Sequence, residues 1–254
     1  AAQLFVERMG TAPALRRMQE EDAAAIAHIC RRLDGIPLAL ELAAPLTRSM
    51  GLAQIAEQLR DQMAILTTSY RTAIPRHQTM HSALVWSYRL LAPAEQQLLA
   101  QMSVFAGGWT LPACTAVSGA AAEESILLPL HQLVAKSFVL VEYGSGERRF
   151  RLLEPIRQFA HAQLAAAGDL EATRRRHAEY YLTLAEEMGT ARDTPQEREH
   201  LQQLSPERDN LRAVNQWCLE HHAAEFAQRF NGLLFAYWVY ASSSQEANYW
   251  LETA

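Results

Sequence analysis

A lysine followed by a serine, Lys136-Ser137, is the part of this sequence that comes nearest to nucleotide chemistry. A phosphate-binding loop of the G-x-x-x-x-G-K-[ST] type needs two glycines ahead of its lysine, because backbone N–H groups in that loop hold the phosphates. Leu130 and Ala135 occupy the two glycine positions here. The sequence therefore predicts that this chain alone neither binds ATP tightly nor hydrolyses it, and that it is not itself an enzyme.

Metal and thiol chemistry have little support in the spacing of the residues. His77 and His81 have the i, i+4 spacing that could bind one metal ion on a helix, but two solvated histidines are the favoured interpretation. The three cysteines, Cys30, Cys114 and Cys218, lie far apart and form no C-x-x-C pair. We expect no metal site, and buried free thiols in a reducing cytoplasm.

The composition is that of a globular protein, with 49% apolar and 20% charged residues in a chain of 254. No apolar run approaches the roughly 18 residues that cross a membrane, so we expect no membrane partner. The start has no signal-peptide pattern and no initial methionine, and we expect the chain to be part of a longer cytoplasmic protein. A net charge of -5 lacks the basic surface that is usual for a DNA-binding domain.

Apolar residues recur at helical spacing along nearly the whole chain, which predicts a mainly α fold. One helix is predicted over residues 20–33, where Ile26 and Ile29 begin an i, i+3, i+4, i+7 pattern. Gly35 is suited to end that helix, and Pro37 is suited to the first turn of the next.

A single β-hairpin is predicted inside this helical pattern. Its strands would be residues 138–141 and 148–152, around a turn at 143–146. Helices followed by one hairpin are the layout of a winged helix. Ahead of it, residues 67–78 contain Pro75 and are predicted to be a linker.

Helical spacing resumes after the hairpin. Gly168-Asp169 separates two predicted helices, and two more are predicted over residues 204–221 and 225–242. Antiparallel helix pairs of this kind indicate the start of a tetratricopeptide-like repeat.

Four stretches contain longer patterns: residues 30–43 read CRRLDGIPLALELA, residues 83–91 read ALVWSYRLL, residues 103–109 read SVFAGGW and residues 150–157 read FRLLEPIR. In this order and spacing they resemble the G-L-P-L segment, the winged helix and the M-H-D region of NB-ARC and related STAND signalling ATPases, in particular bacterial members linked to transcriptional regulators. Residues 207–212, ERDNLR, resemble the opening of the repeat domain of that family.

The resemblance implies two sets of functional residues. They are a nucleotide-proximal set, Gly35, Ile36, Pro37 and Leu38, and a switch-motif set, Leu152, Leu153 and Glu154. Pro37 would pack near the adenine base. The family's histidine, which contacts a phosphate of ADP, falls on Leu153, and leucine cannot donate such a hydrogen bond. The family's aspartate falls on Glu154, for which a second interpretation is a cap of the helix that Pro155 begins.

The resemblance also implies an organisation and a mechanism. Residues 1–70 would be a helical lid domain, residues 71–168 a winged-helix domain and residues 169–254 the start of a repeat-like sensor region. The lid and the winged helix would rearrange between an ADP-bound and an ATP-bound state. An upstream core would bind the nucleotide with magnesium and would make the whole protein an ATPase. No cofactor is expected for this chain alone. The expected partners are that core, further copies of the chain, and a protein or small-molecule inducer at the repeats.

Two rival functions remain open. The first is a DNA-binding winged helix whose recognition helix would be residues 123–136. Glu123 and Glu124 at the start of that helix would repel phosphates, which argues against DNA contact through this chain, although Arg148 and Arg149 make the wing more basic. The second is a helical protein-interaction module that does not depend on nucleotide.

Overall fold

The structure is a computed structural model, and it describes residues 1–9, 20–33, 35–67, 75–142, 147–189, 204–241 and 249–250. Most of these residues are in helices. One antiparallel hairpin interrupts them, so the predicted mainly α fold with a single hairpin is confirmed. Contacts divide the chain into a first unit, Ala1–Gln97 with Pro129–Val139, and a second unit, Leu98–Leu128 with Leu140–Ala254.

The first unit is helical. Its complete helices are α1 (Ala2–Arg8), α2 (Glu20–Arg32), α3 (Pro37–Ala43), α4 (Leu52–Thr67) and α5 (Pro75–Arg89). A 3-10 segment, Ala44–Arg48, follows α3 and contains Pro45, which has no N–H group with which to continue an α-helix.

The core of the first unit is formed by one face of each helix. Ile26, Ile29 and Leu33 are 3%, 0% and 0% exposed, so the predicted apolar stripe of α2 is the face that packs inward. Phe5 of α1 and Trp86 of α5 belong to the same cluster. Full burial of side chains of this size contributes about 1.5–3 kcal/mol each to folding.

The predicted linker over residues 67–78 is partly wrong. Residues 68–74 lie outside the described part of the chain, but α5 begins at Pro75. Proline fits the first position of a helix because its missing N–H would have no partner there. His77 and His81 therefore do lie on one helix, although the side chain of His77 is not among those described. Within the described residues no group of three metal-ligating side chains is found.

The second unit combines helices with the hairpin. Its elements are α7 (Leu111–Ser118), β1 (Leu140–Glu142), β2 (Arg149–Arg151), α9 (Glu154–Ala166), α10 (Leu170–Gly189), a 3-10 turn (Ser205–Glu207), α11 (Arg208–Glu220), α12 (Ala224–Leu233) and α13 (Phe235–Ala241). The boundary between the units falls within α6 (Pro93–Met102) and within α8 (Glu124–Ala135).

The hairpin has a third, one-residue partner. β1 and β2 pair antiparallel with Val141 opposite Phe150. On the other edge of β2, the N–H of Trp109 donates to the Phe150 carbonyl and the N–H of Phe150 donates to the Trp109 carbonyl, both over 2.8 Å. Trp109 and Phe150 are also stacked, with ring centroids 6.4 Å apart. β2 is therefore paired on both edges, and its backbone groups are satisfied.

The first strand begins later than the predicted start at residue 138. Ser137 has a left-handed φ of 62°, and the N–H groups of Phe138 and Val139 still donate to the carbonyl of Leu133 in α8. Phe138 and Val139 therefore belong to the hydrogen-bonded end of α8, where the sequence predicts a strand. Pairing with β2 starts only at Leu140.

The helices after the hairpin follow the predicted order. Gly168, with a φ of 80°, separates α9 from α10 as expected. The single helix predicted over residues 225–242 is wrong, because α12 ends at Leu233 and α13 begins at Phe235. Whether these helices form a tetratricopeptide-like repeat stays a prediction. No helix in the described ranges is long and apolar enough to cross a membrane.

Candidate functional site

The turn between α2 and α3 contains the predicted nucleotide-proximal residues. Gly35 has a φ of 64°, a left-handed conformation that costs a residue with a side chain about 1–2 kcal/mol. Its N–H donates to the carbonyl of Cys30 over 3.0 Å, and the N–H of Ile36 donates to the carbonyl of Leu33 over 2.9 Å. The turn is therefore a hydrogen-bonded end of α2.

Pro37 begins α3 at the surface of the first unit. Ile36 precedes it in an extended conformation, with φ -66° and ψ 118°, and Pro37 takes the first helical position. Pro37 is exposed, whereas Ile36 and Leu38 are partly buried. The rigid apolar ring of Pro37 is therefore at the surface. Its proximity to a nucleotide is not tested by the structure and stays a prediction.

The switch-motif set lies in the second unit, at the start of α9. Leu152 is buried, Leu153 is the N-cap residue and Glu154 is the first helical residue. Glu154 accepts hydrogen bonds from Arg157 Nε and Nη2 over 2.8 Å each, and from Gln158 Nε2 over 2.8 Å. The hydrogen bonds from Arg157 lower the pKa of Glu154, an effect that burial partly opposes.

The interpretation of Glu154 as a helix cap is wrong. The capping position belongs to Leu153, whose side chain has no hydrogen-bonding atom. Glu154 instead forms an ion pair within the first turn, where a negative charge is favoured by the helix dipole. Its predicted role as a switch residue is untested.

The candidate recognition helix, α8, exposes its amino-terminal half. Glu124 and Ser125 are exposed, and Leu127 and Leu128 are 47% and 68% exposed. Pro129 lies inside the helix. This half therefore presents one carboxylate, one hydroxyl and two apolar side chains to the outside.

The only lysine of the chain follows the other end of α8 and is held in an ion pair. Lys136 Nζ lies 2.6 Å from Glu95 Oε2, and the Glu95 carboxylate is largely buried. The same Glu95 oxygen accepts a hydrogen bond from the Ala92 N–H over 2.8 Å at the start of α6. His131, one turn before Lys136, is exposed.

The three arginines of the wing have different environments. Arg148 is exposed. Arg151 Nε lies 2.5 Å from Glu142 Oε1, and both side chains are about half exposed. Arg149 is only 19% exposed and forms an ion pair with Glu207 of the 3-10 turn. Arg148 and Arg151 are therefore on the surface of the wing, while Arg149 belongs to the interior of the second unit.

A buried polar cluster surrounds Glu207. Its carboxylate accepts hydrogen bonds from Arg149, from the Tyr181 hydroxyl over 2.5 Å and from Asn210 Nδ2 over 2.8 Å. Burial opposes the charge of Arg149, but the hydrogen bond and charge of Glu207 outweigh it and raise the pKa of Arg149. Burial and the nearby Glu207 carboxylate raise the pKa of Tyr181 well above its usual value, so Tyr181 stays a hydrogen-bond donor.

Asn210 connects this cluster to the loop after α6. Its Oδ1 accepts hydrogen bonds from the N–H groups of Ala106 over 3.0 Å and Gly107 over 3.3 Å, and its Nδ2 donates to the Gly108 carbonyl over 2.9 Å. Arg149 Nη2 donates to the same Gly108 carbonyl over 2.9 Å. The wing, the loop and the start of α11 are therefore fixed to one another by polar side chains.

Sequence reasoning missed these positioning residues. Residues 207–212 were singled out only for a resemblance, yet Asn210 is 0% exposed and shares the buried face of α11 with Leu211, Val214 and Cys218. An asparagine among the apolar residues of a helical stripe, as Asn210 and Asn215 are here, signals a hydrogen-bonded role, because buried amides are nearly always paired. This pattern indicates that the asparagine is hydrogen-bonded, but it does not identify the groups to which it is bonded.

Comparison with known proteins assigns part of this chain. Residues 91–165 match the winged helix-turn-helix domain family. Over 236 residues the chain is 37% identical to "Putative HTH-type transcriptional regulator Rv0890c" of Mycobacterium tuberculosis and to "Putative HTH-type transcriptional regulator Mb0914c" of Mycobacterium bovis, covering 92% of this chain and 26% of each relative. It is 35% identical over 184 residues to "Uncharacterized protein Rv0894" of Mycobacterium tuberculosis, covering 71% of this chain and 47% of that protein.

The chain spans about a quarter of the length of the first two relatives. Their names mention a transcriptional regulator and not a nucleotide, so the finer resemblance to STAND ATPases stays a prediction. The match to residues 91–165 includes α6, α7, α8, the hairpin and most of α9. These residues form a winged helix-turn-helix domain, within a chain that is similar over most of its length to proteins named as HTH-type transcriptional regulators.

Proposed function

We propose that this chain is the winged-helix part of a transcriptional regulator and that its winged helix-turn-helix domain contacts DNA. The observation that carries the proposal is the match of residues 91–165 to that domain family, supported by the names of the relatives. In a helix-turn-helix the recognition helix enters the major groove. α8 follows α7 in the order expected of that helix.

The side chains that α8 and the wing expose suit this role in part. Ser125 and His131 can hydrogen-bond to base edges or phosphates, and Leu128 can contact a thymine methyl group. On the wing, Arg151 pairs with an exposed glutamate. Exposed pairs of this kind contribute only about 0–1 kcal/mol, so Arg151 can exchange its partner for a phosphate at low cost.

The charge of the domain predicts that binding is weak. Residues 91–165 contain five basic and six acidic side chains, a formal charge of -1. With about two or three phosphate contacts, the affinity should fall roughly 10- to 40-fold between about 50 and 200 mM salt. The sequence argued against DNA contact from the charge of -5 of the whole chain and from Glu123 and Glu124 at the helix start, an argument that the domain match does not support.

Fluorescence anisotropy of the whole chain with labelled duplexes of about 25 base pairs, selected from a random pool, tests the proposal. Arg151→Ala should weaken binding and reduce the salt slope by about one. Glu124→Gln should strengthen binding, since it removes a negative charge from the start of α8. Arg175→Gln, on an exposed arginine of α10, is the matched control and should change neither quantity. An absence of binding at about 50 mM salt, or equal effects of Arg151→Ala and Arg175→Gln, would contradict DNA contact.

A nucleotide-dependent switch is a second candidate, favoured by the turn at Gly35 and the exposed Pro37. A proline at a helix start offers a rigid apolar face without a competing N–H donor, which suits packing against an adenine base. In this candidate ADP or ATP with magnesium is held by a core outside this chain. The lid and winged helix then rearrange with nucleotide state.

Thermal unfolding with ADP, ATP and magnesium distinguishes the outcomes. This chain alone should show no shift, whereas a longer form that extends it towards the amino terminus should gain about 2.7 kcal/mol at a hundredfold excess over the dissociation constant. Pro37→Ala in the longer form should reduce that gain. A shift with this chain alone would show that the P-loop argument is wrong, and no shift in the longer form would exclude the switch.

Self-association is part of the same candidate and has support in the last described helix. Phe235 and Val239 stand one turn apart on α13 and are 44% and 45% exposed, and Tyr249 is 50% exposed. Exposed apolar side chains one turn apart on a helix offer a surface against which a second copy can pack. Light scattering should therefore detect oligomers at high concentration, and a monomer under those conditions would argue against the proposal.

A further inference from the structure

A pocket of about 300 Å³ lies inside the second unit, and of its lining residues only Arg157 and Ala106 have been described above. Residues just after α6 form one part of it, and α9, α10 and α11 form the rest. Its polar lining includes two arginines, two histidines, a tryptophan and a glutamate: Arg157, Arg174, His161, His177, Trp217 and Glu220.

Two buried ring nitrogens in this lining have no hydrogen-bond partner among the described residues. They are Nε2 of His177 and Nε1 of Trp217. His177 is 3% exposed, and its ring is held between Phe105 and Tyr181, with centroids 5.0 and 4.8 Å away. An unsatisfied buried polar group costs about 1–3 kcal/mol, so two residues of this lining contain a nitrogen atom that an additional polar contact would stabilise.

The lining contains two arginines and one glutamate, and both arginines are ion-paired: Arg174 with Glu220 and, over 3.8 Å, with Glu171, and Arg157 with Glu154. Arg174 Nη1 lies 2.7 Å from Glu220 Oε2, and the Arg174 and Glu220 side chains are 23% and 42% exposed. Arg157 pairs with Glu154, which lies outside the lining and is 56% exposed. Each guanidinium has five N–H donors, so these pairs leave donors for an incoming anion. Burial lowers the pKa of His161, and the charges of Arg157 and Arg174 lower it further, which places both charges close to the pocket.

The remaining wall is apolar and partly flat. Trp217 stacks on His221 with centroids 5.2 Å apart, and Phe226 meets its ring edge-on at 5.6 Å. Val104 and Ala213 add aliphatic surface. A volume of about 300 Å³ is at the lower end for small-molecule sites, which fits a compound with a single ring.

We propose that this pocket binds a small organic acid, with its carboxylate between Arg157 and Arg174 and its apolar ring against Trp217. The resemblance implies a protein or small-molecule inducer at the repeats, and for the second of these the site gives a chemical class. Binding needs neither DNA nor nucleotide, so its failure is distinguishable from failure of the functions proposed above.

Isothermal titration of the whole chain with benzoate and phenylacetate tests the site, and tryptophan fluorescence provides an independent readout. Benzamide, which has the same ring without the charge, and inorganic phosphate, which has charge without a ring, are the control compounds. The two acids should bind at least tenfold more tightly than either control, since a hydrogen bond to a charged group contributes enough for that difference. No saturation up to about 10 mM acid, or equal binding of phosphate, would overturn the proposal.

Variants locate the binding. Arg174→Gln and Arg157→Gln should each weaken acid binding at least tenfold. Arg175→Gln, next to Arg174 but 71% exposed and outside the pocket, should leave it unchanged. Trp217→Phe keeps a ring in the wall but removes the N–H, and should abolish most of the fluorescence change. Circular dichroism confirms that each variant is folded, and equal weakening by Arg174→Gln and Arg175→Gln would refute the site.

Discussion

Acid should destabilise the second unit through His177. Burial lowers the pKa of this imidazole from 6.5 to about 3, with the charge of Arg174 acting in the same direction and a hydrogen bond with Asn210 opposing it. The folded protein therefore holds His177 neutral, packed against Phe105 and Tyr181. The unfolded chain releases this histidine to water, where it binds a proton at its ordinary pKa.

The sign and size of the effect follow from proton binding in the two states. Between pH 6.5 and about 3 the unfolded state binds more protons at His177 than the folded state, so the free energy of unfolding falls as pH falls. The contribution is complete above pH 6.5 and decreases by about 1.4 kcal/mol per pH unit below it. From about pH 7.5 to 5.0 the expected loss is roughly 2 kcal/mol.

Urea unfolding of wild type and His177→Phe at both pH values measures this loss. Phenylalanine keeps an aromatic ring at this position but cannot bind a proton. The lowered pKa values of His161 and His81 add acid sensitivity in the same direction, but they are common to both proteins and cancel in the comparison. The variant should therefore lose about 2 kcal/mol less than wild type on acidification. An equal loss in both proteins, or protonation of the His177 ring near pH 6 in an NMR titration, would refute the reasoning.

Three further changes, one in the first unit and two in the second, test interactions within each unit by urea unfolding. Asn210→Ala removes a buried amide that makes four hydrogen bonds to the loop and Glu207, besides the one with His177, and should destabilise the chain by about 2–3 kcal/mol; a loss below 1 kcal/mol would mean that water replaces it. Arg149→Met leaves the Glu207 carboxylate buried without its cation and should cost about 3–5 kcal/mol, whereas the exposed-pair control Arg151→Ala should cost less than 1 kcal/mol. Gly35→Ala introduces a side chain at a left-handed φ and should cost about 1–2 kcal/mol, and a neutral result would show that the turn can relax.

Local patterns in the sequence were sufficient for much of the fold. The apolar stripe of α2 and the glycine that ends it needed only helical periodicity and backbone sterics, and both are confirmed. The hairpin was predictable from a short apolar run and a run of alternating polar and apolar residues on either side of a turn, although its first strand starts at Leu140. The family-level prediction of a winged helix depended on these elements occurring in order.

The remaining features depend on contacts between residues that are distant in sequence. Asn210 binds a loop about a hundred residues earlier, and nothing in the local pattern of α11 identifies that partner. Gly232 lies two residues before the break at Leu234, but it is inside α12 and the apolar spacing continues past it, so helical spacing predicted one helix. The pocket lined by Arg157 and Arg174 combines residues from separate helices, and neither arginine was distinguishable from a solvated one by sequence.

The connection between Asn210 and the loop after α6 has a consequence during synthesis on the ribosome. Asn210 lies 104 residues after Ala106, so at usual elongation rates the loop is made about 5–20 s before its partner. During that interval the loop amides can bond only to water, and Arg149 lacks its carboxylate. A nascent chain that pauses before Glu207 would therefore hold a wing and loop that are not yet fixed, and would offer chaperones and proteases a target that the finished protein conceals.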